Sequence, residues 1–290
     1  MLVDFMMIGA QKCGTTSLAT QLAAHPEISF CRNKEPGYFN RVQDWRSGLD
    51  GYHALYEPQP GQLCGEASTM YTFLPEYEAT HRRLYEYNSQ LKLIYIMRDP
   101  IERMISHYSH NLVRGLVHDT PEIALANDPT YRDRSRYAMQ IAPYLDLFGR
   151  DQILLLVFEE YIVDQAATLQ TIARFLGISE KMDTASEETV VHKTVGEYYL
   201  KYTAIEEMVK SGFFQAVRPY IPEVLRKGVR RRLSNKLDDK PTFPAELQAQ
   251  LQVDLAPDVA KIEELLGRPI VGWRAYGPQT VAQHEVYTHG

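Results

Sequence analysis

The chain has 290 residues, 44% of them apolar and 23% charged, with 31 Lys and Arg against 37 Asp and Glu and a formal net charge of −6. These proportions suit a soluble globular protein; they exclude a disordered chain, which has too little apolar surface to offset its ordering entropy, and a collagen-like or disulfide-stapled scaffold. Three cysteines, Cys13, Cys31 and Cys64, form no CxxC pair, so neither a disulfide framework nor a structural zinc site is expected, and a reducing cytoplasm is the expected compartment. Mild acidity gives no global attraction to nucleic acid or anionic membrane. No apolar run approaches the ~20 residues of a membrane span. The one basic concentration is Arg226, Lys227, Arg230, Arg231 and Arg232.

In chain order, residues 2–8 read as a buried strand, with Asp4 where a secretory signal would carry basic residues. A glycine-bearing turn leads into a helix over 16–25, which Pro26 closes. Weaker strands are expected over 27–31 and 62–66, and stronger ones over 91–97 and 153–158. Their near-continuous apolar character suits strands buried on both faces. Helical spacing marks 101–113, 136–148 and 169–176, the last closed by Gly177. This alternation predicts an α/β sandwich around a parallel sheet. Beyond about residue 185 the pattern loosens. Residues 198–209 and 244–266 read as helices, and the prolines and basic cluster between them as a mobile surface connection. After Trp273 periodicity ends, as in a tail. The expected organisation is one domain over 1–277, with a largely helical segment at about 185–240, and a tail over 278–290.

The turn after the first strand reads Gly9-Ala-Gln-Lys12-Cys13-Gly14-Thr15-Thr16-Ser17. A glycine turn between strand and helix points several N–H groups into one concavity, where the helix dipole favours an anion. Gly9 and Gly14 have the spacing of a nucleotide-triphosphate loop, but Thr15 stands where that loop carries its lysine, and the lysine has moved forward to Lys12. The ordinary alternative is a plain strand–turn–helix corner with a surface lysine. The run from Lys12 to Leu18 resembles the 5′-phosphosulfate loop, K-x-G-[ST]-T, of sulfotransferases that use 3′-phosphoadenosine 5′-phosphosulfate (PAPS). The resemblance implies a P-loop NTPase-like three-layer α/β/α sandwich. It assigns Lys12, Cys13, Gly14, Thr15, Thr16 and Ser17 to the 5′-phosphate and sulfuryl group.

At the end of the fourth strand, Arg98-Asp99-Pro100 opens a helix that carries Arg103 and Ser106. Open α/β sheets bind ligands at this edge, and a guanidinium fork suits a phosphate. Taken alone, the pattern also fits a strand-end Arg98–Asp99 ion pair with Ser106 on the surface. It resembles the family's 3′-phosphate motif, R-[DN]-P-x-x-R-x-x-S, which implies donor-binding roles for Arg98 and Ser106.

Sulfuryl transfer to an alcohol needs a base for the acceptor proton. Lys34-Glu35-Pro-Gly-Tyr-Phe39 resembles the K-E-x-x-[FY]-F segment of heparan-type carbohydrate sulfotransferases, which makes Glu35 the implied base, with Lys12 steadying the charge on the bridging oxygen. His110, one helical turn past Ser106, is an assisting candidate, while His107 reads as structural. Gly65-Glu66-Ala-Ser68 resembles G-E-x-[ST]; Glu66 is an alternative base or an orienting partner of Lys12. Ser135-Arg136-Tyr137 resembles the family's segment before the next helix, which implies that Ser135 and Tyr137 line the 3′-phosphate or acceptor site. The implied reaction is transfer from PAPS, releasing 3′-phosphoadenosine 5′-phosphate (PAP), to a sugar, lipid or carrier-bound β-hydroxyacyl hydroxyl. No metal, nucleic acid or integral membrane segment is implied. A bacterial member is expected, since Golgi members carry a membrane anchor. A Mg-ATP kinase or ATPase, with Glu159 and Glu160 as its acids, and a non-catalytic PAP-binding protein are the rival readings.

Overall fold

The apolar runs form a single sheet because each has main-chain partners on the strands beside it and side chains that leave water on both faces. In the computed structural model, residues 2–180, 198–200, 234–236 and 241–276 are described. The five strands are β1 (Phe5–Gly9), β2 (Ile28–Phe30), β3 (Leu63–Ala67), β4 (Lys92–Met97) and β5 (Ile153–Val157). They lie in the order β2-β3-β1-β4-β5, every pair parallel. Leu93, Ile94, Tyr95, Ile96 and Met97 are all 0% exposed, and the three aliphatic ones among Leu93, Ile94 and Ile96 each contribute about 1.5–3 kcal/mol by burial. The predicted α/β class and parallel central sheet are therefore observed.

The helices are α1 (Thr15–Ala23), α2 (Tyr38–Arg41), α3 (Leu49–His53), α4 (Thr80–Tyr87), α5 (Pro100–Val113), α6 (Pro121–Asn127), α7 (Thr130–Asp133), α8 (Tyr137–Phe148), α9 (Phe158–Val163), α10 (Gln165–Leu176) and α11 (Ala245–Leu266). Helix α10 starts a turn earlier than its apolar spacing suggests, because the Asp164 side chain caps it by accepting from the Ala167 N–H. Helix α11 meets α8 through Asp258, whose carboxylate accepts from the Ala138 and Met139 N–H groups (3.1 and 3.0 Å). Carboxylates suit this position because they satisfy orphan donors and complement the helix dipole.

The chain divides into two compact units: Met1–Arg103, Arg132–Val191 and Ala249–Gly290 form the first, and Met104–Tyr131 and His192–Gln248 the second. The second contains the later turns of α5, where Tyr108 donates to Asp119 O (2.8 Å) and packs edge-on against Phe243. One expectation fails here. Residues 198–200, predicted to begin a helix, form strand β6 (Tyr198–Leu200), antiparallel to β7 (Ser234–Lys236). The pairing is long-range, so local periodicity carried no sign of it, although two adjacent tyrosines favour a strand. The rest of that predicted helix, the basic cluster at 226–232 and the tail at 278–290 lie outside the described residues.

Candidate functional site

The first loop is built by main-chain geometry. Gly14 caps α1 at φ 80°, and no side chain closes the first turn. The N–H groups of Thr15, Thr16 and Ser17 precede the first intrahelical bond, Leu18 N to Gly14 O, and so stand at the positive end of the helix dipole. Gly14 is required twice over: its φ is left-handed, and a Cβ there would lie 2.6 Å from the Phe158 ring. Lys12 also has a left-handed backbone (φ 70°), a conformation that costs a non-glycine residue about 1–2 kcal/mol. Strain of this kind persists only where the surroundings over-determine it. Cys13 turns the other way. Its thiol is completely buried 3.6 Å from the Tyr137 hydroxyl, and burial pushes its pKa up to about 11. Ser17 Oγ lies 3.0 Å from Tyr161 OH, which itself donates to Gln21 Oε1 (2.6 Å). The serine proton is therefore given to Tyr161.

The second loop lies at the end of the neighbouring strand, β4. The Arg98 guanidinium stacks over Phe158 at 5.1 Å, on the same ring that backs Gly14. Both loops therefore lie against one benzene ring, that of Phe158. Arg98 pairs with Glu102 (3.3 Å), and its buried Nε–H has no hydrogen-bond partner among the described residues. Asp99 does not pair with Arg98. Its Oδ1 caps α5 through the Glu102 N–H (2.9 Å), and its Oδ2 accepts from the main chain and Nε of Arg274 (3.0 and 3.1 Å). Glu159, after β5, accepts from the Asp99 N–H (3.1 Å) and the Trp273 indole (2.8 Å). Ser135 and Tyr137 are both fully buried and donate to the carbonyls of Pro100 (3.2 Å) and Arg98 (2.7 Å). Their hydroxyls brace this turn from inside. Arg103 is also fully buried, and desolvation lowers its pKa.

Glu35 is held from β3. It is a half-buried residue with φ 50°, and its carboxylate accepts from Thr69 Oγ1 (3.4 Å). Two residues on, the Gly37 N–H donates to Ser68 Oγ (3.0 Å). The same stretch grips β1: Ser68 N donates to Met7 O (3.0 Å) and Thr72 Oγ1 to Ile8 O (2.9 Å). One short segment after β3 therefore ties the Glu35 turn to the strand that feeds the first loop. Glu66 is different. It is 0% exposed, and burial pushes its pKa up to about 7, against the opposing effect of the Tyr71, Tyr52 and Tyr56 hydroxyls. Ser106 and His110 are half-buried residues of α5 in the second unit, four residues apart and on one helix face.

Arg274, Trp273 and Phe158 carry no motif, and sequence reasoning did not single them out as parts of this site. Arg274 and Trp273 act through contacts with residues 99, 102 and 159, and Phe158 through Gly14 and Arg98, none of which a local pattern encodes.

The arrangement brings two loops suited to anionic groups against one ring. The family described as "Sulfotransferase domain" matches residues 2–241. Among curated proteins, mouse heparan sulfate glucosamine 3-O-sulfotransferase 3B1 is 29% identical over 188 residues, covering 60% of this chain and 45% of the relative. Mouse carbohydrate sulfotransferase 15 is 25% identical over 265 residues, covering 67% of this chain and 47% of the relative. The chain thus spans less than half of either relative's length. A sulfotransferase structure from Alicyclobacillus acidocaldarius superposes with a TM-score of 0.66 at 24% identity, covering 94% of this chain and 99% of the other, which fixes the fold. Among the described residues no helix is long and apolar enough to cross a membrane. With most of its length matched by that family and the same fold seen in a solved sulfotransferase, the chain belongs to the sulfotransferase domain family.

Proposed function

We propose that the protein transfers the sulfuryl group of PAPS to an acceptor hydroxyl. The observation that carries this reading is the meeting of two phosphate-suited loops on one ring, Phe158, at the ends of adjacent strands. A nucleotide with phosphate groups on both its 5′ and 3′ oxygens needs that pairing. The residues present fit such a ligand: α1 opens without a side-chain cap, and Arg98 carries a buried N–H in want of an acceptor.

PAPS supplies the sulfuryl group on its 5′-phosphate. The N–H groups of Thr15, Thr16 and Ser17 and the Lys12 ammonium hold that end, and Lys12 offsets the negative charge on the oxygen that leaves sulfur. Cys13 contributes backbone shape, and Ser17 packs the helix behind. Arg98 takes the 3′-phosphate; for Ser106 the role rests on the sequence motif alone. Glu35 takes the proton of the attacking hydroxyl, a task for which its half-exposed position suits it better than enclosed Glu66. His110 remains an assisting group on motif grounds. Ser135 and Tyr137 support Arg98 from beneath. We favour a carbohydrate acceptor, because the similar curated proteins are named for heparan sulfate glucosamine and carbohydrate; lipid and carrier-bound hydroxyls are the other classes. The chain acts without a metal in this reading, inside the cytoplasm of a bacterium.

A kinase would use the acid after β5 to hold Mg²⁺. Glu159 is poorly suited to that, since both its oxygens accept hydrogen bonds from Asp99 and Trp273. The test is Glu35→Gln, assayed with labelled PAPS over a panel of alcohols. Turnover should fall about 10²–10⁴-fold with PAP affinity unchanged. Normal turnover would remove Glu35 as the base. ATP binding in preference to PAP would remove the sulfotransferase reading.

A further inference from the structure

The residues from 272 to 276 carry no periodic signal, yet they clasp the Arg98 turn. Gly272 passes so close to Glu159 that a Cβ would sit 3.2 Å from the Glu159 Cβ. Trp273 then bonds Glu159, Arg274 bonds Asp99, and Tyr276 OH accepts from the Ile101 N–H (3.4 Å). Within this clasp Glu102 bridges two guanidinium groups. Its Oε1 lies 2.9 Å from Arg274 Nη2 and its Oε2 3.3 Å from Arg98 Nη2. The shorter contact has the usual length of a charge-assisted bond and the longer one does not.

We propose that Arg274 is a positioning residue for Arg98: by holding the Glu102 and Asp99 carboxylates, it leaves the Arg98 guanidinium free to bind the 3′-phosphate of the donor. This rests on the donor assignment above. Glu102 stands four residues after Arg98, the spacing at which helical side chains meet and an internal ion pair forms readily. A carboxylate given wholly to Arg98 competes with an incoming phosphate and repels it. Arg274 draws that carboxylate away and supplies a compensating charge. The side chains of Arg98, Glu102 and Arg274 are only 21%, 30% and 24% exposed, so their charges are less screened than on an open surface. Asp99, 3% exposed, anchors Arg274 from the opposite side through both main chain and side chain.

The experiment is a double-mutant cycle on PAP affinity, by calorimetry at fixed ionic strength, with Arg274→Gln, Glu102→Gln and the double variant. Melting temperatures report whether each is folded. Arg274→Gln should weaken PAP about tenfold, and the loss should shrink to within about twofold in the Glu102→Gln background. Glu102→Gln alone should tighten PAP, and this arm decides the matter if Arg274→Gln does not fold. Affinity for 5′-AMP, which has no 3′-phosphate, should not change. A loss that persists undiminished without Glu102 would show that Arg274 touches the ligand itself and would overturn the proposal. So would an equal loss for 5′-AMP, or weaker PAP binding by Glu102→Gln. If the wild type binds PAP and Arg98→Ala abolishes it, the donor reading survives whatever the cycle returns. A wild type that does not bind PAP would sink both.

Discussion

The two loops that meet at Phe158 are built in opposite ways. The first is main chain: a glycine cap, a left-handed lysine and three N–H groups at the start of α1. Its backbone elements all lie within nine residues of β1. The second is an assembly of side chains around Arg98, Asp99 and Glu102, completed by Glu159 and by Trp273 and Arg274 from the far end of the chain. Backbone geometry is specified by local residue types, so such a loop stands or falls with one or two positions. A side-chain network is specified by contacts between distant residues, and substitutions within it are felt through coupling.

That contrast can be tested from its strongest point downward. Lys12→Gly keeps the left-handed backbone, since glycine takes φ 70° without strain, and removes the side chain with its ammonium. Turnover should drop about 10³-fold while the melting temperature holds or rises. A large loss of stability instead would mean that the lysine is structural. Gly14→Ala should weaken PAP about 100-fold, because the left-handed φ and the Phe158 ring both oppose a methyl group; calorimetry that finds wild-type affinity would show that the loop is not the binding element.

The same division separates the two carboxylates. Glu35 is half-buried on a strained turn, whereas Glu66 is enclosed and titrates near 7 instead of 4.5. A raised acid pKa means that the folded chain keeps a proton which the unfolded chain releases between those values. Stability should therefore fall as pH rises from about 4.5 to about 7, by on the order of 3 kcal/mol, and level off above. Denaturation of Glu66→Gln across that range should lack the fall; an unchanged pH profile would show that Glu66 ionises normally. The smallest effect belongs to Ser17→Ala. The serine proton goes to Tyr161, so PAP affinity should change less than about threefold, and a larger loss would mean that the hydroxyl turns to the ligand.

What could be read from the sequence follows the same line. β1, β4 and β5 were legible because continuous apolar runs have few other uses, and α5 and α8 because their apolar spacing is regular. The motifs around Lys12, Glu35, Glu66 and Arg98 were legible because each is local. Phe158 was read as the last residue of a strand, although it opens α9 and backs both loops. Arg98 and Asp99 invited an ion pair with each other, but Asp99 faces Arg274, 175 residues away. Ser135 and Tyr137 were read as site-lining hydroxyls and are enclosed, because a buried hydroxyl and an exposed one look alike in a sequence. Residues 274–276 lack periodicity because they are held by individual polar contacts instead of an apolar stripe.

In the proposed reaction one donor is held at both ends. A crystal structure with PAP tests that most directly. The 5′-phosphate should lie on the N–H groups after Lys12 and the 3′-phosphate on the Arg98 guanidinium, with Phe158 against both loops. PAP bound elsewhere, or touching only one of the two loops, would contradict it.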